Sequence, residues 1–148
     1  MYKHILIPTD GSKRSAKAAK AGIDLAKTLG AQVTLLHSTA SYRRVVDEGF
    51  VIPTQGALQK TFAQESKERS MRLMEPLVEM AGKAGVPCTP VHMTSDSASD
   101  AIVKTAGTRK CDLVVMGSHG WGGLKGLLLG SETTAVLTHC KVPVLVLR

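Results

Sequence analysis

Apolar residues along this chain keep two rhythms. Short, nearly unbroken apolar runs occur at His4-Ile5-Leu6-Ile7-Pro8, Gln32 to His37, Val86 to Met93, Leu113 to Met116 and Val142 to Leu147. Such runs suit strands covered on both faces, as in a parallel sheet. Between them the spacing turns helical. Ala16, Ala19, Ile23 and Ala26 recur from Ser15 to Leu29, where Gly30 ends the pattern. Leu58, Phe62, Leu73, Leu77 and Ala81 predict a buried stripe from Gly56 to Ala84, and Pro76 predicts a kink or a break within it. Ser95-Asp96-Ser97 offers caps for a helix from Ala98 to Ala106, ended by Gly107. A last helix runs from Glu132 to Cys140 with Ser131 as its cap. Ser38 to Pro53 lacks a clear period and reads as a loop. Pro87 and Pro90 place the third strand at a sheet edge.

The order is thus βαβαβαβαβ, which implies a parallel sheet with right-handed crossovers and helices on both faces. The expected fold is a single-domain α/β three-layer sandwich over residues 1–148. No internal repeat or linker divides it.

Composition narrows the function. The chain has 148 residues, 43% of them hydrophobic, enough for a core without disulfides or metals. No signal peptide or transmembrane run is visible, so a cytoplasmic protein with no membrane partner is expected. Cys88, Cys111 and Cys140 are far apart and lack zinc-ligand spacing, and they read as small buried hydrophobes. The net charge is +7, much of it from Lys13, Arg14, Lys17, Lys20 and Lys27 on the first helix. Aromatic residues make up only 3%, too few for base stacking, so nucleic acid is not the expected partner.

The chemistry concentrates where strands end. Pro8-Thr9-Asp10-Gly11, His37-Ser38 and Met116 to Gly120 lie at carboxyl ends of strands, where doubly wound sheets bind ligands. Gly117-Ser118-His119-Gly120 follows a strand, and Gly130-Ser131 opens a helix. Strand, glycine-rich loop and helix N-terminus make a place for phosphate. Asp10 can hold a ribose hydroxyl or a phosphate-bound magnesium, and Ser131 and Thr133 can donate hydroxyls to phosphate. His119 is a candidate phosphate contact or turn-shaping residue. GxxxxGK[ST] is absent, and no GxGxxG follows the first strand, which argues against Walker and nicotinamide sites. No Ser/His/Asp set, carboxylate pair or activated cysteine indicates catalysis.

Gly117-x2-Gly120-x9-Gly130-Ser131, with Pro8-Thr9-Asp10-Gly11-Ser12 in front and Val142-Pro143-Val144-Leu145-Val146-Leu147 behind, resembles the universal stress protein family over essentially the whole chain. The resemblance implies a five-stranded parallel sheet in the order 3-2-1-4-5, an adenine nucleotide alpha hydrolase-like fold. It further implies a nucleotide site for ATP, or AMP or ADP, with magnesium. It implies a homodimer formed through the last strand, Val142 to Leu147. Carried onto this sequence, the family pattern puts Asp10 by ribose and metal, and Pro8 and Thr9 against the base. Ser38 falls at the adenine edge and Met116 at the strand end. Gly117, Gly120 and Gly130 take the close-approach positions, and Ser131 and Thr133 the phosphate. Ser38, Trp121 and Glu132 depart from the family's usual residues. The expected function is a nucleotide-binding regulatory or stress-response module with an unidentified protein partner, not an enzyme. Slow ATP hydrolysis and, on charge alone, polyanion binding are the alternatives.

Overall fold

The computed structural model describes residues 1–48, 56–119 and 129–148. Its elements are β1 (His4–Pro8), α1 (Lys13–Leu29), β2 (Gln32–Thr39), α2 (Tyr42–Asp47), α3 (Gly56–Lys83), β3 (Cys88–Thr94), α4 (Ala98–Thr108), β4 (Leu113–Gly117), α5 (Ser131–His139) and β5 (Val144–Leu147). The five strands form one sheet in the order β3-β2-β1-β4-β5, every pair parallel. The expected order 3-2-1-4-5 is therefore the observed one.

Strand alternation sorts the core into two halves. Ile5, Ile7, Val33, Leu35 and Val115 pack against Ala19 and Ile23 of α1 and Met74 and Leu77 of α3. Leu6, Leu36, Val114 and Met116 face the other way, onto Ala101 and Ile102 of α4 and Val136 of α5. Because β1, β2 and β4 are buried on both faces, their sequences are apolar almost without interruption. The chain leaves β1 toward β2 on one side and later returns to β4 on the other. The carboxyl ends of β1 and β4 therefore flank the crevice of a doubly wound sheet.

Several boundaries differ from the sequence expectation. Pro76 neither breaks α3 nor starts a new helix; the helix runs through it from Gly56 to Lys83. Proline inside a helix costs about 3 kcal/mol. Met74 and Leu77, on either side, are almost wholly buried, and burial of each contributes roughly 1.5–3 kcal/mol, enough to hold both halves on the sheet. The amino-terminal half of α3 buries Ser66 and Ser70, not Leu58, which is 43% exposed. The stretch read as a loop after Ser38 contains α2, preceded by Ser41, whose N–H and hydroxyl both donate to Asp96 (2.8 and 3.0 Å). β2 extends to Thr39, so Ser38 lies inside the strand.

β3 is an edge strand and carries Pro90 within it. Val33 N donates to Pro87 O at 2.8 Å and Ser95 N to Thr39 O at 2.9 Å. Parallel alternation then turns the N–H groups of Thr89, Val91 and Met93 toward β2, and position 90 outward. Proline costs the ladder nothing there.

Candidate functional site

The β1–α1 turn is built by its own polar side chains. Thr9 N extends the ladder by donating to Leu36 O at 2.8 Å. Asp10 Oδ1 accepts from Ser12 N at 2.9 Å, and Gly11 takes a left-handed φ of 80°. A side chain at Gly11 would be strained by that φ, and its Cβ would lie 2.8 Å from Leu73 Cδ1. Ser12 then caps α1, its Oγ accepting from Ser15 N at 3.1 Å. Thr9 is buried, with Oγ1 3.1 Å from Ser15 Oγ. Pro8, Thr9 and Asp10 are thus fixed at the carboxyl end of the central strand.

The β4–α5 junction turns on Ser118. Its N–H donates to Leu147 O at 2.7 Å, and its carbonyl accepts from Gly130 N at 2.8 Å. Thr133 Oγ1 donates to the Gly117 and Ser118 carbonyls at 3.2 and 3.1 Å. Thr133 is 2% exposed. The hydroxyl assigned to phosphate from sequence is directed instead into the strand–helix joint, because burial forces it to find carbonyl acceptors. A Cβ on Gly130 would come within 3.3 Å of Ser118 O, whereas one on Gly117 would meet nothing nearer than His119 O at 3.6 Å. A side chain at 130 would make Ser118 O give by a few tenths of an ångström. Gly117 is not demanded by the protein around it.

Gly130, not Ser131, is the N-cap of α5. Gly130 is extended, and its carbonyl accepts Thr134 N at 2.9 Å, while Ser131 is already helical. Among the described residues no side chain caps this helix. By contrast Ser12 caps α1, and Ser97 caps α4 through Asp100 N. The carboxylate of Glu132 does not serve its own helix; Oε2 accepts from Ser99 N, in the first turn of α4, at 2.6 Å. The N–H groups at positions 131–133 precede the first internal acceptor of α5. They form a backbone cradle at the end of β4. His119 stands beside it. Its Nδ1 is 3.2 Å from Ser118 Oγ, its ring edge 3.4 Å from the Cβ position of Gly130, and its Nε2 is buried without a partner among the described residues. Met116 is buried beneath, in the α4–α5 face of the core. Gly120 and Trp121 lie outside the described residues.

Ser38 stands apart from the motif, in register with Met93 of β3. His37 turns to α3, where Nδ1 meets Ser70 Oγ at 2.8 Å, so Ser38 points to the opposite, α4, side. Beside His37 on β3, His92 Nε2 meets Thr39 Oγ1 at 2.7 Å. Burial, then the neighbouring His92, pushes the pKa of His37 below its ordinary value, against the pull of Asp10. Burial and Lys67 lower His92 likewise. Sequence reading missed this pair, since Ser70 sits on α3, 33 residues away. Ser70 is fully buried, so the Ser70–His37 contact holds α3 on the sheet and offers no nucleophile to a substrate. The cysteines are unpaired, and burial pushes the Cys88 and Cys111 thiols up to about 11. Among the described residues no three His, Cys, Asp or Glu side chains could together hold a metal ion. None of the described helices is long and apolar enough to cross a membrane.

A five-stranded parallel sheet in the order β3-β2-β1-β4-β5, with helices on both faces, defines the class of doubly wound α/β proteins. Within that class the chain belongs to the universal stress protein family, whose model matches residues 1–148. It is 35% identical to universal stress protein MJ0531 of Methanocaldococcus jannaschii, covering all of this chain and 83% of that protein. The solved structure of MJ0577 superposes with a TM-score of 0.83 at 29% identity, covering 99% of this chain and 96% of that one. The universal stress protein of Archaeoglobus fulgidus, solved in complex with dAMP, shares the fold, with a TM-score of 0.67, 19% identity and coverage of 99% and 98%.

Proposed function

We propose that this protein binds an adenine nucleotide (ATP, ADP or AMP) at the crevice between β1 and β4, as a regulatory module and not as an enzyme. The observation that carries this reading is α5. Its N-cap, Gly130, is joined to the end of β4 through the Ser118 carbonyl, no side chain among the described residues caps it, and its first-turn carboxylate bonds to Ser99 N of α4. The helix-start amides and the helix dipole together favour a phosphate there. His119 Nε2, buried and unpartnered among the described residues, suits a phosphate oxygen at the same place. A dAMP complex of a protein with this fold is consistent with a nucleotide of this kind.

In this reading the amides at 131–133 hold phosphate, with Ser131 alongside and the Glu132 carboxylate bonded to Ser99 N of α4. Gly117 leaves room for the ligand, and Gly130 keeps the loop closed. Thr133 sets the joint on which the cradle rests. Asp10 faces ribose or a magnesium ion whose other ligands are phosphate oxygens and water. Pro8, Thr9, Met116 and Ser38 bound the base. The function sits in one domain, residues 1–148. The protein works in the cytoplasm, in keeping with its unpaired cysteines. It forms homodimers through β5, an edge strand whose Leu145 is 42% exposed. Titration calorimetry with AMP and Mg-ATP at about 100 μM protein tests the site, a concentration at which micromolar affinity gives full binding. Binding whose affinity falls at least about tenfold in Gly130→Val is the expected result. A folded protein that takes up neither nucleotide refutes the reading.

A further inference from the structure

Two helix N-termini lie side by side at the α4–α5 contact, and they are treated in opposite ways. α4 is capped by Ser97, has Asp100 in its first turn and receives the Glu132 carboxylate on Ser99 N. Among the described residues α5 has no side-chain cap, although Glu132 belongs to its own first turn. Glu132 therefore supplies α4 from a position within one turn of the α5 amides, a span of about 5 Å along the axis. The 2.6 Å bond from Ser99 N ties the carboxylate of Glu132, an exposed residue, to the first turn of α4.

One helical turn is shorter than the screening length of about 8–10 Å at ordinary ionic strength. An anion seated on the α5 amides shares the field of the helix dipole with Glu132 and is repelled by it. The penalty grows with the charge of the ligand. Lys13, Arg14 and Lys17 are exposed at the start of α1, and the Arg14 carbonyl lies 3.7 Å from the Cβ position of Gly117. These cations, and Arg44, which feels the Glu132 charge, favour the more highly charged ligand and so oppose Glu132; removing the carboxylate's charge alone isolates its own share.

Resting on the nucleotide site proposed above, we infer that Glu132 is a specificity-determining residue. Its carboxylate, anchored on Ser99, disfavours each added phosphate charge and biases the site from nucleoside triphosphates toward monophosphates. Glu132 touches no reacting atom and acts through charge, so charge and position must be separated in the test. Glu132→Gln keeps an oxygen for Ser99 N–H and removes the charge. Glu132→Ala removes both.

The experiment is calorimetric titration of AMP and magnesium-free ATP into wild type, E132Q, E132A and G130V. In E132Q the affinity for ATP should rise about three- to tenfold and that for AMP by less than about twofold, with the gain in ATP shrinking at high salt. E132A, having lost the link to α4, should bind both ligands more weakly than E132Q. Equal changes for the two ligands in E132Q, or none, overturn the inference while leaving the site standing. Wild-type protein that binds neither ligand, or binds both undiminished in G130V, removes the proposed site and this inference with it.

Discussion

Thr133 Oγ1 sits 3.1 Å from the carbonyl oxygen of Ser118 and ties the first turn of α5 to the end of β4. The hydroxyl is buried, so its loss leaves two carbonyls with one donor fewer. Thr133→Val keeps the shape and deletes the donor. It should lower stability by about 1 kcal/mol and nucleotide affinity several-fold, because the cradle no longer sits squarely on the strand. Thr133→Ser should recover both. Urea titration and calorimetry on the two variants make the comparison. Full binding by Thr133→Val would show that the joint does not position the amides.

Gly130 has an extended backbone that any residue can adopt, so its requirement is spatial. Valine there must push Ser118 O and His119 apart from the helix start. Gly130→Val should reduce affinity at least about tenfold, equivalent to about 1.4 kcal/mol. Thermal melting should register a smaller effect than binding does. If melting collapses and binding persists in the folded fraction, the glycine serves packing alone.

Acid should loosen the sheet edge. His37 and His92 have pKa values below their ordinary value of 6.5 in the folded protein, with burial the leading cause. The unfolded chain therefore binds more protons between those lowered values and 6.5, and stability falls as pH drops through that window. Above it, both states are neutral at these residues and the term vanishes. His37→Asn, which can still donate to Ser70, should flatten the fall. Urea midpoints at pH 7.5 and pH 5 decide the matter, and an unchanged slope in the variant would count against His37.

At the opposite end of the sheet, Asp112 accepts from Lys3 N at 2.7 Å and His4 N at 3.0 Å, joining the starts of β1 and β4. Asp112→Ala should cost about 1–2 kcal/mol of stability, the loss of backbone bonds to a charged acceptor at an open site. Nucleotide affinity should hold, because the site lies at the other end of these strands. A large loss of affinity at unchanged stability would mean that the two ends communicate.

Dimerisation through β5 predicts a dimer by light scattering at micromolar protein. Leu145→Asp, which puts a charge on the paired edge, should yield monomers that still fold. Monomers in the wild type would end the proposal.

Most of the sheet was legible because its central strands are buried on both faces and carry little but apolar residues. Ile5-Leu6-Ile7 and Val114-Val115 could be little else. The β4–α5 joint was legible in part, because Gly117, Gly130 and the start of α5 follow the strand in the sequence. Three features were not. Glu132 reaches Ser99 across 33 residues, and His37 reaches Ser70 across the same separation. Neither shows in a local pattern. α2 is short and held by Ser41 and Asp96, 55 residues apart, so no periodicity announces it. Leu58 followed helical spacing but projects from the part of α3 that buries serines. Periodicity gives a face, and the depth of the sheet beneath decides how much of that face is covered.

Pro90 bears on how this molecule can aggregate. The outward edge of β3 lacks a donor at its middle, so a strand laid along it would leave an acceptor unmatched. β5 carries no such interruption. Growth by strand addition is thus open at one border and obstructed at the other. If molecules pair edge to edge at β5, as proposed, they would present only β3 outward, and the assembly would be finite: a closed pair, where two open borders would permit a fibre.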